Sequence, residues 1–344
     1  MKKSILLTLC FTAIISFTAN AKIWRVNNNV GIPADFTTAQ DAHDGASAGD
    51  TIHFESSITS YGNLTMTKKM VLIGMGDFTA ATANTQAAVS LPKLTTITIN
   101  AGSENSLIMV NCDNININSV DYIVAQRCHV VGSVTAYHSN YTTIKNCYFG
   151  GSITFSSTLV NNIWLGSLNN IISNNIIGGN IFVSDSYSSA TISNNTIVNT
   201  SSYGCNIQNS LFQNNIYFAG YPIFYNSTVK NNFFRPSFYY MHYTGDANTY
   251  SIASGNNNQF SVIETNFLVN ESYWNGTTAD SGFQLKAGSP AIGAGVSGED
   301  CGAFGGTSPY KLAVQPAVPA IYKLTVPSSV NNTLNVTLST KSNN

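Results

Sequence analysis

The chain has 344 residues, only 9% of them charged, and a formal net charge of −1. That balance excludes nucleic-acid binding by a basic surface, because no Lys/Arg patch exists to release counterions from phosphates. A surface of Asn, Ser, Thr and Tyr suits uncharged polar partners such as sugars, or equally an inert wall.

The chain opens with Met1-Lys2-Lys3, an apolar run over residues 5–17 and then Ala19-Asn20-Ala21. A positive start, an apolar core and a small-x-small site are the parts of a secretory signal peptide. Residues 1–21 are therefore read as a leader, and export is expected. The run is shorter than the roughly 20 residues of a membrane-spanning helix, and no second long apolar run follows. Beyond the leader lie Cys112, Cys128, Cys147, Cys205 and Cys301. An odd number argues against a complete disulfide framework. Cys128 and Cys147 read as small apolar residues stacked in the core, with a single disulfide as the alternative. No CxxC or His/Cys pair stands at ligand spacing, so no metal is expected.

Residues 23–26 alternate as a strand, and residues 35–42 read as a short amphipathic helix with Asp35 or Thr37 as its N-cap. Gly49-Asp50 then turns into a strand ending at Phe54. This stretch resembles the N-terminal cap of secreted right-handed parallel β-helix proteins of the pectate-lyase-like superfamily. A helix there implies a cover for the open apolar end of the first coil, so residues 22–54 are taken as a cap. Strands are expected at 64–66, 70–73, 95–99, 107–110 and 115–117, with residues 77–88 as a loop thrown out between coils.

From about Tyr122 to Arg235 one phrase recurs. It reads Ile144-Lys145-Asn146-Cys147-Tyr148-Phe149, and returns at 159–164, 172–177, 192–197, 212–217 and 229–234, with a weaker copy at 125–130. Its second Asn-like position falls at 128, 147, 162, 175, 195, 215 and 232, giving separations of 19, 15, 13, 20, 20 and 17 residues. Short strands broken by Asn/Ser/Gly turns at this spacing predict an all-β fold. It is a single parallel β-helix (solenoid) over residues 55–310 with a short N-terminal capping helix. The resemblance, and the bias of parallel crossovers, make it right-handed. The separations of 15 and 13 are tight for a three-strand coil.

Stacked, the copies form columns. The first is Arg127, Asn146, Asn161, Asn174, Asn194, Asn214 and Asn231; the second is Cys128, Cys147, Asn162, Asn175, Asn195, Asn215 and Asn232. Stacked amides donate and accept between coils and to the turn backbone, so the asparagines read as a structural ladder. Two positions on, Val130, Phe149, Trp164, Ile177, Ile197, Tyr217 and Phe234 form either a core ladder or an exposed strip for sugar rings. Gly132, Gly151, Gly166 and Gly179 mark the next bend. The position before the Asn pair (Gln126, Lys145, Val160, Ser173, Ser193, Gln213, Lys230) should point outward, and it carries no carboxylate.

Residues 283–295 contain Gly288-Ser289-Pro290-Ala291-Ile292, and residues 300–306 read Asp-Cys-Gly-Ala-Phe-Gly-Gly. This closely resembles the terminal coil of exported bacterial β-helix proteins, many of which handle polysaccharides; Gly293 stands where they often carry Asp. Its glycines are expected to let the chain return sharply onto the last coil. Residues 316–319 form a stiff connector, and 321–324 and 334–338 read as short strands of a C-terminal extension over 311–344.

A lyase needs a base and a cation beside a uronate, and a β-helix hydrolase needs carboxylates on neighbouring coils. The nearest approach is Arg127, Lys145 and His129, with Asp113 and Asp121 able to reach the same face; isolated surface charges are the bland reading. The aromatic run 233–243 is the candidate sugar contact, through Phe234, Arg235, Tyr239, Tyr240 and Tyr243, against a core-capping loop. Lys230 lies close by in sequence. Glu299-Asp300 reads as a calcium turn or as solvated carboxylates. Three function classes follow. The leading one is an exported, monomeric, noncatalytic protein that binds a polysaccharide or cell-surface glycan without a cofactor. The second is a lyase or hydrolase of a uronate glycan, with calcium relevant only to a lyase. The third is a structural stalk or adhesin.

Overall fold

The computed structural model describes residues 21–76, 93–199, 203–235, 256–270, 280–315, 319–325 and 336–341. Residues 1–20 of the leader, the loop expected at 77–88 and Tyr239, Tyr240 and Tyr243 lie outside the described residues. Short strands stack in parallel into a β-solenoid of about 8 turns. One wall is a sheet of 10 strands, from Ile23–Val26 to Thr228–Lys230. The other two walls meet in the long strand Asn111–Asn118. Its Cys112 pairs with Val130 of a short wall, and its residues 115–118 pair with Val134–Tyr137 of a third wall. The short wall runs from His129–Val130 to Phe233–Phe234, and the third from Leu64–Met66 to Tyr221–Tyr225.

Period-two alternation produces this shape, because every second side chain points inward. Ile144, Ile172, Ile192, Phe212 and Val229 stack from the first wall, and Ile153, Phe155, Ile181 and Val183 from the third; all are fully buried. Between the first and short walls the chain turns on one left-handed residue. Arg127, Asn146, Asn174, Asn194, Asn214 and Asn231 have φ of 52–55°. Asn tolerates that region better than other residues with a Cβ, which is why the phrase is an Asn phrase.

Asn161 and Asn162 depart from the expected ladder. They form the tip of an antiparallel hairpin, Thr158–Val160 against Ile163–Leu165, with φ of 49° and 63°. Two successive positive φ values suit a two-residue hairpin turn, for which Asn is also favoured. The copies at 147 and 175 are therefore consecutive coils, with the hairpin inserted between them. Trp164, Val160 and Gly166 leave their columns with it. In the remaining glycine column a Cβ on Gly151 would run into the Gly132 carbonyl, so only glycine lets these coils close to that distance.

The expected helix forms at Ala39–Gly45, one turn later than predicted, and Thr38 is its N-cap, its hydroxyl accepting from the Asp41 amide at 3.2 Å. Its Gln40 side chain accepts from the Thr65 amide at 2.8 Å, and the Thr67 amide donates to His43 Nε2 at 3.2 Å. The helix thereby covers an edge that would otherwise present unpaired backbone. At the other end, Gln259 bridges to Phe233 and the Phe260 ring stacks on Phe234 at 5.3 Å.

The Gly-rich segment 280–315 does not form a terminal coil. It runs lengthwise down the solenoid as a strap over the corner where the asparagines turn, and over the outside of the short wall. Tyr148, Ile176, Ile216 and Phe233 point outward there and are buried beneath Phe283, Ala291, Cys301, Ala303, Tyr310 and Val314. The molecule thus has an inner core and a second, outer one. The strands Ala320–Thr325 and Thr337–Lys341 pair with each other, antiparallel.

Candidate functional site

The two asparagine columns do different work. The second column points into the core: Asn175, Asn195, Asn215 and Asn232 are each fully buried. Each Oδ1 accepts the amide of the equivalent residue one coil earlier, at 2.8–3.0 Å. Each Nδ2 donates to a strand carbonyl, as Asn195 does to Ile172 at 2.9 Å. Asn258 extends the ladder by one rung, its Oδ1 accepting from the Asn232 amide at 3.0 Å. The sequence signal for it was Asn257-Asn258-Gln259-Phe260, a degenerate copy of the phrase.

Cys128 and Cys147 replace asparagine at the start of this ladder, and their thiols donate to the carbonyls of Ile108 and Lys145. All five described cysteines are free and buried. Burial pushes the Cys112 and Cys147 thiols well up, and the Cys205 thiol to about 12. The thiolate is the species that alkylates. Because all five are buried away from reagent, intact protein at pH 8 should take up no iodoacetamide at these sites, and denatured protein should take up one label at each. Mass spectrometry checks this; rapid labelling of the native state would contradict the packing.

The first column points outward and carries the strap. Asn231 Nδ2 donates to the Ala294 carbonyl at 3.0 Å, Asn194 to Asp300 at 3.1 Å, Asn174 to Gly305 at 2.7 Å and Asn146 to Ser308 at 2.9 Å. Asn214 donates to the Glu299 carboxylate and accepts from the Val296 amide. Arg127 closes the series by donating from Nη1 to the Gln315 carbonyl at 3.1 Å. Glu299 and Asp300 thus fasten the strap, Asp300 accepting from the Gly293 amide at 2.9 Å.

The predicted catalytic residues are backbone neighbours, the Arg127 amide donating to the Lys145 carbonyl at 3.2 Å, but their side chains turn to different surroundings. Arg127 is buried under the strap; Lys145 faces outward on the first wall, beside Gln126 and Ser173. His129 lies on the short wall, its ring edge-on to Tyr148 at 5.1 Å. Asp113 is ion-paired with Lys93, and the Asp121 carboxylate accepts from the Asn140 amide at 2.8 Å. Among the described residues no three His, Cys, Asp or Glu side chains gather as a metal site, and no helix is long and apolar enough to cross a membrane.

The predicted sugar contact also changes. Phe234 is a core residue, stacked in register with Tyr217, so the column running from Val130 to Phe234 is a core ladder once Trp164 is removed. Arg235 pairs with Glu264 at 2.9 Å and donates to the Asn199 carbonyl. Lys230 faces outward in register with Gln213.

The third wall carries a surface that the Asn phrase did not reveal. Its outward residues in five successive coils are Asn63, Thr65, Thr67; Thr96, Thr98, Asn100; Asn114, Asn116, Asn118; Ser133, Thr135, Tyr137; and Ser152, Thr154, Ser156. The row nearest the short wall is structural: Asn63, Asn114, Ser133 and Ser152 each accept a backbone amide from the next coil. The central row, Thr65, Thr98, Asn116, Thr135 and Thr154, differs. Its side chains are at least partly exposed, and none is hydrogen-bonded to another described residue. Phe182 ends the row beside Thr154. The signal was legible as polar-apolar alternation in Asn63-Leu64-Thr65-Met66-Thr67 and Thr96-Ile97-Thr98-Ile99-Asn100. No family model, curated protein or solved structure matches this chain.

Proposed function

We propose that the protein is an exported, noncatalytic glycan-binding β-solenoid whose contact surface is the outward Thr/Asn array of the third wall. The observation that carries this is the central row, five uncharged hydrogen-bonding side chains with no partner among the described residues. Hydroxyls and amides both donate and accept, as sugar hydroxyls do, and the fifteen positions contain no charge to desolvate. Successive rungs repeat at about 4.8 Å, a length comparable to one pyranose unit of an extended chain. A neutral glycan lying along the solenoid axis meets one rung per sugar. The side chains of Arg127, Lys145 and His129 turn to the strap, the first wall and Tyr148 respectively rather than to one point, which supports a role in binding rather than cleavage.

Affinity electrophoresis against neutral polysaccharides, with a parallel assay for reducing ends and unsaturated products, tests the reading. Wild type should be retarded without forming product, with or without chelator. Thr135→Lys with Thr154→Lys should weaken retention by about tenfold or more, roughly 1.4 kcal/mol. Product formation, or no retention by any neutral glycan, overturns it.

A further inference from the structure

Two parallel-stacked aromatic pairs stand at the corner between the third and first walls. Tyr122 and Tyr141 stack at 4.9 Å with planes 4° apart, and are 49% and 47% exposed. Trp164 and Tyr187 stack at 6.2 Å with planes 13° apart, and are 49% and 47% exposed. Carbon atoms in contact sit about 3.5–4.0 Å apart, so centroids at these distances mean offset rings, each with part of its face open, like treads. The exposed Leu168 is fastened beside the first pair: its carbonyl accepts from the Tyr141 amide at 3.0 Å, and its amide donates to Asn140 Oδ1 at 2.8 Å.

Two features of this corner run against folding preference. Tyr122 and Tyr141 are in the left-handed region, with φ of 60° and 55°. In four other coils the equivalent corner residue is Asn (Asn105, Asn169, Asn209 and Asn226), also left-handed. A bulky residue there is strained where Asn is not, and a half-exposed ring recovers little of that by burial. Trp164, in turn, is displayed by the inserted hairpin. That hairpin sits against the next coil only because residue 166 is glycine, since a Cβ there would collide with the Tyr187 carbonyl.

The corner is also stiff and carries no Lys or Arg. Beneath it the Ser139 amide donates to Ser167 Oγ at 3.1 Å, and the Ser167 amide to Ser188 Oγ at 2.9 Å. Segments 119–122, 138–142, 157–170 and 184–190 contain no Lys or Arg. Their carboxylates are committed to backbone amides, Asp121 to Asn140 and Asp185 to Ser157 and Tyr187.

We infer that this corner is a second glycan subsite, a shelf on which the apolar faces of pyranose rings stack on Tyr122, Tyr141, Trp164 and Tyr187. Open ring faces repeating with the coils, flanked by Asn amides and free of cations, fit a neutral sugar chain better than an anionic or phosphate-bearing partner. The inference rests on the glycan-binding reading, and adds to it a surface one corner away from the Thr/Asn array.

The test uses the full mature chain and the neutral polysaccharide that retains it, with three variants: Tyr122→Asn/Tyr141→Asn, Trp164→Ala, and the Thr135→Lys/Thr154→Lys pair. Melting is followed by circular dichroism. The tyrosine double variant restores the corner residue of four other coils, so it should melt at or above the wild-type temperature while glycan affinity falls about three- to tenfold. Trp164→Ala should show a similar loss. Wild-type affinity in both shelf variants, with binding lost in the threonine pair, overturns the shelf and leaves the glycan reading standing. A wild type that binds no neutral glycan overturns both. A concentration-dependent dimer that the tyrosine variant dissolves would assign the shelf to a second copy of the chain instead.

Discussion

Asn195→Ala should lower stability by on the order of 3–5 kcal/mol, and its sequence neighbour Asn194→Ala by only about 1–2 kcal/mol. Asn195 accepts from both the backbone and side-chain nitrogens of Asn175 at 3.0 Å, and donates to the Ile172 carbonyl at 2.9 Å and to Asn215 at 3.0 Å. Alanine leaves the Asn175 backbone amide and one Asn175 Nδ2 hydrogen without an acceptor in a dry core. Each such group costs about 1–3 kcal/mol, and the lost volume adds a cavity. Asn194 contributes a strap contact to the Asp300 carbonyl and tolerance of φ 54°. Losing those costs one part-buried hydrogen bond and some backbone strain. Asn195→Asp should be no better than alanine, because its carboxylate oxygens would face the Ile172 and Ser193 carbonyls. Urea denaturation followed by circular dichroism measures all three, and equal losses at 194 and 195 would refute the division of the two columns.

Phe283→Asp should release the strap while the coils persist. Phe283 is buried among the apolar side chains of the outer core, 6.1 Å from the Tyr148 ring. Removing a buried Phe costs about 3–5 kcal/mol, and burying an unpaired charge adds to that. The inner core is a separate cluster, closed over its length by Ile144, Phe155, Ile192 and Phe212. The variant should therefore bind a hydrophobic dye through the uncovered Tyr148, Ile176 and Ile216, and be nicked within 280–315, with its β-sheet spectrum retained. Loss of strap and sheet in one transition would show that the outer core is required for the coils.

The repeats were legible because a β-solenoid is built from local rules. An inward apolar residue at every second position and an Asn where φ turns positive are properties of six consecutive residues, and they locate the walls and the inner ladder. The same locality misplaced Asn161 and Asn162. Two asparagines suit a coil corner and a hairpin tip alike, and only the separations of 15 and 13 residues hinted at the difference. Phe234 was ambiguous for a related reason: an aromatic residue serves a core or a sugar face, and its register with Tyr217 decided for the core. The Thr/Asn array was visible as alternation, but what makes it a candidate is that its central side chains bond to no other described residue, which no single strand can reveal.

The sequence by itself determined that the chain coils, where its turns fall and which side chains line the lumen, since each depends on neighbours a few residues apart. Only the tertiary structure decided that the Gly-rich segment lies along the coils rather than across their end. It alone decided that Arg127 is covered, and that Tyr122, Tyr141, Trp164 and Tyr187 stand at one corner. Those outcomes depend on which surface another part of the chain already occupies, and Gln315 reaches Arg127 across 188 residues of sequence.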